Sequence, residues 1–244
     1  RSISLTDEGQ SYFAQARTIL DIAEDATKAV TDRQAHPAGL LRVSIPVSFG
    51  LTHLKRHLPE FMTLYPDVKF DIDLNDRAID VVAEGYDLAI RIGHLADSSL
   101  ISKKLGLSRG VVAASPSFWN TYGRPKHPTE LCNYPCLTYS SLKAPSQWVF
   151  TDKDAKAVKV DIDWTVACNS VEMTTALAQA GVALGCLPAY ACQEEVESGA
   201  LDIVLSDFEQ APLGIHALYP HRAHLPSKVR IFIDFLSGTL NGVN

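Results

Sequence analysis

The sequence predicts an α/β protein built from two consecutive halves, and three observations lead there. The first is a strand-helix-strand unit. Val166 to Cys168 reads as a strand end, Asn169 and Ser170 supply oxygens where a helix begins, and Val171, Thr174, Leu177 and Ala178 recur at helical spacing. Gly181 stands where a left-handed residue ends that helix, and Val182 to Leu187 is the next buried strand, closed by Pro188. The second is the same plan earlier in the chain: Leu40 to Pro46 alternates as a strand, Val47-Ser48-Phe49-Gly50 turns it, and Leu51, Leu54, Leu58, Phe61, Met62 and Leu64 mark a helix. The third is a restart of the pattern after Pro116, a proline well placed in a first helical turn.

Residues 1 to 36 differ from the rest of the chain. Thr6 is a good helix cap, with Asp7 and Glu8 in the first turn where acids favour the dipole. Tyr12, Ala16, Ile19, Ala23, Ala26 and Val30 then recur in steps of four and three, a heptad seam that Phe13 and Leu20 broaden. A helix from Asp7 to about Gln34 spans ~42 Å at 1.5 Å per residue. So alanine-rich a seam needs a partner helix, which makes this a dimerisation helix. His36-Pro37-Ala38-Gly39 ends it as a linker.

After the strand at Leu40, Val68 to Leu74 alternates strictly, which leaves one face to water or to another subunit. A short helix around Ile79 to Ala83 leads through Gly85 to a strand over Asp87 to Ile92, giving β-α-β-α-β and a parallel sheet. Leu100 to Leu105 is a strand, Gly106 to Gly110 a turn, Val111 to Ala114 a strand and Ser117 to Tyr122 a helix. Strands come next near Cys136 to Tyr139, Gln147 to Phe150, Ala157 to Val160 and Trp164 to Cys168. After Pro188 come a helix from Ala189 to Glu197, a strand over Ile215 to Tyr219 and an amphipathic helix over Ser227 to Leu240. Ligands of open α/β sheets bind at the carboxyl ends of strands. Two such ends facing each other make a cleft.

Composition narrows the function. The chain has 244 residues, a formal charge of −6 and no apolar run near the ~18 residues a membrane span needs. Polar and acidic residues come after Arg1, so no signal peptide is expected. The negative balance argues against nucleic-acid binding by the chain as a whole. Five cysteines cannot all pair, a pattern that suits reduced cytoplasmic thiols.

Several motifs carry chemistry on paper. Gly106-Leu-Ser108-Arg-Gly110 matches the serine-hydrolase elbow, but that elbow needs a helix after the serine and a strand is expected there. His53 and His57 have zinc spacing, yet Lys55 and Arg56 lie between them, so a solvated helix face is the reading preferred. Cys132 and Cys136 lack a second pair, His221 and His224 are unsupported, and no phosphate loop or dinucleotide fingerprint occurs. No metal, cofactor or catalytic residue is therefore expected. Asn169 and Ser170, where a helix dipole points into the crevice, read as half of a small-anion site or as a plain cap. Ser48 plays the same part in the first half. Arg91, between Ile90 and Ile92, reads either as a fork for a carboxylate or as a structural partner of Asp73 or Asp76. Tyr139 and Ser140, at another strand end, line the opposite wall or are ordinary loop polarity.

Six segments in order then resemble a known family: Ile3-Ser-Leu-Thr-Asp-Glu-Gly9, Pro46-Val-Ser-Phe-Gly50, Glu84 to Gly93, Ala114-Ser-Pro116, Ala180 to Pro188 and Val229 to Leu236. Together they are similar to the C-terminal four-fifths of a LysR-type transcriptional regulator. The resemblance implies two Rossmann-like subdomains of periplasmic-binding-protein type, joined by crossover strands near Gly110 to Ala114 and Ile215 to Tyr219. It implies effector-binding subdomains over 37–110 with 217–244 and over 111–216, preceded over 1–36 by the end of a winged helix-turn-helix and the linker helix. Arg1 and Ser2 would then be the last of the DNA-binding wing. The family's recognition helix has no counterpart here, so specific operator binding is not expected of this chain. A small, carboxylate-bearing effector is expected at Pro46, Ser48, Phe49, Arg91, Tyr139, Ser140, Asn169 and Ser170. The expected partners are a second copy of the chain, as homodimer or tetramer, that effector, and promoter DNA in the full-length parent, in the cytoplasm and with no membrane. The alternative is a periplasmic solute-binding protein with the same cleft and no regulatory role, and a third option is a hydrolase using Ser108.

Overall fold

A computed structural model describes residues 37–93, 95, 99–142, 144–154, 156–221 and 225–240, together with Thr6, Gly9, Tyr12, Phe13, Ala16, Ile19, Leu20 and Ala23. It falls into two compact units, Arg1–Gly106 with Gly214–Asn244, and Leu107–Leu213.

The first unit is built on a five-stranded sheet. Strands β1 (Gly39–Ile45), β2 (Val68–Leu74), β3 (Leu88–Ile92), β4 (Ile101–Ser108) and β13 (Leu213–Tyr219) lie in the order β2-β1-β3-β13-β4. β1 runs parallel to both β2 and β3, whereas β13, which brings the chain back into this unit, runs antiparallel to β3. Between β1 and β2 the chain forms a helical run of three parts. These are α1 (Val47–Phe49), a wider turn over Gly50–Leu54 in which the Lys55 N–H reaches back five residues to the Gly50 carbonyl, and α2 (Lys55–Leu64). The closing helix α6 (Ser227–Leu240) packs with α2 on the apolar sheet face. Phe61 of α2, Phe70 of β2 and Phe232 of α6 meet edge to face with ring centroids 5.1 to 5.5 Å apart. Such pairs add ~0.5–1.5 kcal/mol beyond their burial. The strict alternation of β2 puts its acids on the other face, where register sets Asp71 opposite Arg42 and Asp73 opposite Ser44.

The second unit has a mixed sheet in the order β11-β5-β10-β6-β9. Its strands are β5 (Gly110–Ala114), β6 (Cys136–Tyr139), β9 (Trp164–Cys168), β10 (Leu184–Pro188) and β11 (Asp202–Val204). β6 is parallel to β9 and β10, while β5, the strand that enters this unit, is antiparallel to β10 and β11. A small sheet of β7 (Gln147–Thr151), β8 (Ala157–Asp161) and β12 (Glu209–Gln210) adds Trp148, Phe150 and Val160 to one core. Alternate residues of the main sheet feed a second core: Val112 and Ala114 join the first, Ala113 and Leu137 the other. The helices are α3 (Pro116–Tyr122), capped by Ser115, α4 (Val171–Gln179) and α5 (Gln193–Glu197). α4 links β9 to β10 as the sequence predicts, with β6 lying between those two strands. Gly181 has φ 73°, the left-handed value needed to end it.

Four expectations are corrected. Residues 81–85 form one turn and no helix: the Asp80 carboxylate caps it by accepting from the Val82 and Ala83 N–H groups, and Gly85 at φ 73° ends it at once, the Tyr86 N–H closing back on the Val81 carbonyl. Gly106 to Gly110 is no turn: β4 continues to Ser108 and β5 starts at Gly110, with only Arg109 between. The segment from Ala189 to Glu197 is a 3-10 turn at Ala189–Ala191 and then the short α5. His53 is buried, not solvated, its Nε2 lying 3.0 Å from the Thr239 hydroxyl.

Of the long N-terminal helix, Gly9, Tyr12, Phe13, Ala16, Ile19, Leu20 and Ala23 are helical, and Thr6 caps it by accepting from the Gly9 N–H. Tyr12, Ile19 and Leu20 are each at least 66% exposed. The seam positions Ala26 and Val30, and the wing residues Arg1 and Ser2, lie outside the described residues. No helix among the described residues is long and apolar enough to cross a membrane.

Buried charge makes two aspects of stability testable. Lys228 at the start of α6 donates to the Leu40 carbonyl at 2.6 Å and lies 3.7 Å from Asp87, which also accepts from the Arg42 N–H. Lys228→Ala strands the buried carboxylate and is expected to lower unfolding free energy in urea by about 3–5 kcal/mol. The double change Lys228→Met with Asp87→Leu is expected to recover most of that loss. Burial, reinforced by His57 and Arg56, pushes the His53 imidazole down to about 4. The unfolded chain therefore takes up this proton first, and the contribution of neutral His53 disappears as pH falls from about 6.5 to about 4. It amounts to about 3 kcal/mol, and His53→Leu is expected to flatten the pH profile of stability across that window.

Candidate functional site

In the first unit the carboxyl ends of β1, β2 and β3 carry an interlocked set of polar side chains. Asn75 comes directly after β2 and is drawn beside β1 by its N–H bond to the Ile45 carbonyl, 2.9 Å. Its Nδ2 donates to Ser44 Oγ at 3.0 Å and to Asp73 Oδ2 at 2.6 Å. The Tyr86 hydroxyl donates to the same Asp73 oxygen at 2.5 Å, and burial together with that carboxylate pushes its phenol up to about 12. Arg91 spans the set. Its Nη2 donates to Ser44 Oγ at 2.9 Å and to the Arg77 carbonyl at 3.4 Å, and its Nη1 to the Ile90 and Ser44 carbonyls. Burial lowers the Arg91 pKa from its usual value. Both terminal nitrogens thus serve the frame of the strand ends.

Pro46 opens the helical run above this frame. It has extended backbone and no side-chain acceptor to cap the turn. Ser48 is 5% exposed, and its carbonyl accepts from the Thr52 hydroxyl at 2.7 Å. The Phe49 ring is core, 4.9 Å from His53, so only backbone of this residue can meet a ligand.

The second unit brings four of the expected residues to one edge. Tyr139 and Cys168 are register partners at the ends of β6 and β9, and the Ser140 N–H donates to the Cys168 carbonyl at 2.9 Å. Asn169 comes next and is exposed. Ser170 caps α4: its Oγ accepts from the Met173 N–H at 3.1 Å and donates to Glu172 Oε2 at 2.9 Å. Leu142, on the loop after β6, and Met173, in the first turn of α4, leave 46% and 52% of their surface open. Glu172 changes the electrostatics expected here, because its carboxylate already sits on the first turn, where the helix dipole favours an anion. Sequence reasoning passed over Glu172, Asn75 and Tyr86. An acid two residues past a cap was a usable signal for the first, and nothing local marked the others.

The remaining motifs disperse. Ser108 is buried at the end of β4 and is succeeded by a strand, the opposite of a hydrolase elbow. Among the described residues no three His, Cys, Asp or Glu side chains gather to hold a metal. All five cysteines are unpaired, and burial pushes Cys136, Cys186 and Cys192 up to about 12.

Known proteins match this architecture along its length. The family model for the LysR substrate binding domain covers residues 34–241. An uncharacterised HTH-type transcriptional regulator of Haemophilus influenzae is 34% identical over 94% of this chain and 79% of its own. The HTH-type transcriptional regulator DmlR of Escherichia coli is 31% identical over 97% of this chain and 76% of its own. Among solved structures, CrgA, a LysR-type transcriptional regulator from Neisseria meningitidis, superposes with a TM-score of 0.76 at 26% identity, covering 98% of this chain and 81% of that one. The full-length Vibrio cholerae virulence activator AphB gives 0.74 at 27% identity over the same shares.

The frame around Asn75 has its own test. Asn75→Ala leaves Ser44 and Asp73 without their shared donor and is expected to cost about 1–3 kcal/mol in urea unfolding. A change below ~0.3 kcal/mol would mean the strand ends are held by something else.

Proposed function

This chain belongs to the LysR-type transcriptional regulators, and from that premise we propose that it senses a small, carboxylate-bearing effector held between its two units. The observation that carries the reading is positional. Pro46 and Ser48 in one unit, and Tyr139, Ser140, Asn169 and Ser170 in the other, stand at the carboxyl edges of parallel strands where ligands of such sheets bind. The effector's carboxylate goes to the opening turn of the helical run over 47–64, where Ser48 and the backbone of Phe49 lie. Arg91 serves there by fixing Ser44 and Asn75. Leu142 and Met173 offer apolar contact to the rest of the molecule.

Regulation then needs differential affinity. The effector stabilises one arrangement of the units over another, and a molecule binding both equally regulates nothing. The seam of exposed Tyr12, Ile19 and Ala23 with half-buried Ala16, continued by Ala26 and Val30, pairs two copies and relays the change to DNA-binding heads in the full-length parent, with Arg1 and Ser2 at the edge of the wing. Five unpaired thiols support the cytoplasm as its place of work.

Thermal unfolding against small aromatic and aliphatic carboxylates is expected to find a stabilising ligand. At a hundred times its dissociation constant a ligand adds about 2.7 kcal/mol, a rise of roughly 5–10 °C. Ser48→Ala is expected to weaken that ligand with little loss of stability, and equal affinity in the two proteins would move the site elsewhere. Light scattering is expected to give a dimer or tetramer, and Ile19→Asp to dissociate it. An unchanged mass would remove the seam.

A further inference from the structure

Gly50 stands at a junction in the first unit. Its N–H donates to the Pro46 carbonyl at 2.9 Å and closes the opening turn, while its carbonyl accepts from the Lys55 N–H and begins the wide turn over Gly50–Leu54. Turns of this width recur at functional sites. The Thr52 hydroxyl, inside the wide turn, donates to the Ser48 carbonyl at 2.7 Å and ties the two turns together. The Gly50 backbone is ordinary right-handed helix, φ −62° and ψ −47°, which any residue adopts. Glycine is among the poorest residues for a helix interior, so its use here is not conformational. The surrounding space gives the reason. A Cβ at this position would lie 2.4 Å from Leu74 Cδ2, 3.2 Å from Leu74 Cδ1 and 3.4 Å from Leu74 Cγ. Leu74 ends β2 and is the register partner of Ile45, the residue before Pro46. The residue after it, Asn75, ties Ser44 to Asp73. The bare Cα of Gly50 thus seats the opening turn on the end of β2, next to the polar frame.

We propose, resting on the effector function given above, that Gly50 is a positioning residue of the carboxylate site: its missing side chain lets the opening turn close onto Leu74, and this sets where Ser48 and the Phe49 backbone meet the carboxylate. A methyl group on residue 50 and the Leu74 methyls claim one space. Pairing with Ile45 fixes the Leu74 backbone, so the turn gives way and carries Ser48 and Phe49 with it.

The test uses the whole chain, with sodium propionate and sodium benzoate as probes and sodium chloride at equal ionic strength as the reference. A probe at about 100 mM is expected to raise the Tm of the parent by about 1 °C or more. In Gly50→Ala, binding about tenfold weaker is expected, as when one hydrogen bond to a charged group is lost, and the rise all but disappears. Alanine is the better helix former, so Gly50→Ala is expected to fold with an unchanged circular dichroism spectrum. Leu74→Ala removes all three crowding atoms. The double variant Gly50→Ala with Leu74→Ala is therefore expected to recover the rise, and Leu74→Ala alone to keep it. A purely structural contact would move only the Tm without probe. A full rise in Gly50→Ala overturns the inference, since Leu74 has then swung aside and the turn has kept its place. So does a rise that the double variant fails to recover. No rise with either probe in the parent is a different failure: it removes the carboxylate reading itself, and this inference falls with it.

Discussion

Parallel pairing constrains where this molecule can do anything. When neighbouring strands run the same way, every crossover must begin at one edge of the sheet and return to the other. β1 with β2 and β3, and β6 with β9 and β10, obey this in their separate units. The starts of the helical run at Val47 and of α4 at Val171 are therefore delivered to the carboxyl edges. The polar side chains that the sequence scatters over a hundred residues gather at those two edges. The chain enters one unit and returns to the other on the antiparallel strands β5 and β13.

The two edges differ in kind. That of the first unit is a bonded frame: Ser44, Asp73, Asn75, Tyr86 and Arg91 hold one another, and burial there lowers the Arg91 pKa from its usual value. That of the second unit carries an acid on its leading helix, bound on one oxygen and unsatisfied on the other. This asymmetry is a property of residues, since strand order and helix placement alone would make the two edges equivalent.

Much of this was legible in the sequence wherever the signal was local. β6 and β9 begin and end where alternation and turn residues put them, α6 spans its amphipathic repeat, and Ser170 and Gly181 bound α4 as a cap and a stop. Asn169, Ser170, Tyr139 and Ser140 do come together. The failures were non-local. Gly110 looked like turn chemistry, yet it is a strand glycine without room for a side chain: a Cβ there would lie 2.7 Å from Gln210 Oε1 and 3.1 Å from Cys186 Sγ. His53 looked solvated beside Lys55 and Arg56, but its partner Thr239 is 186 residues away. β11 and β12, at three and two residues, are too short to show any period.

The proposal that one small molecule is held by both edges at once is tested most directly by amide hydrogen exchange of the whole chain with and without a stabilising carboxylate. Added protection is expected in residues 47–50 and 75–77 together with 140–142 and 170–173, appearing at the same ligand concentration. Protection confined to one unit, or spread elsewhere with these four segments unchanged, would contradict it.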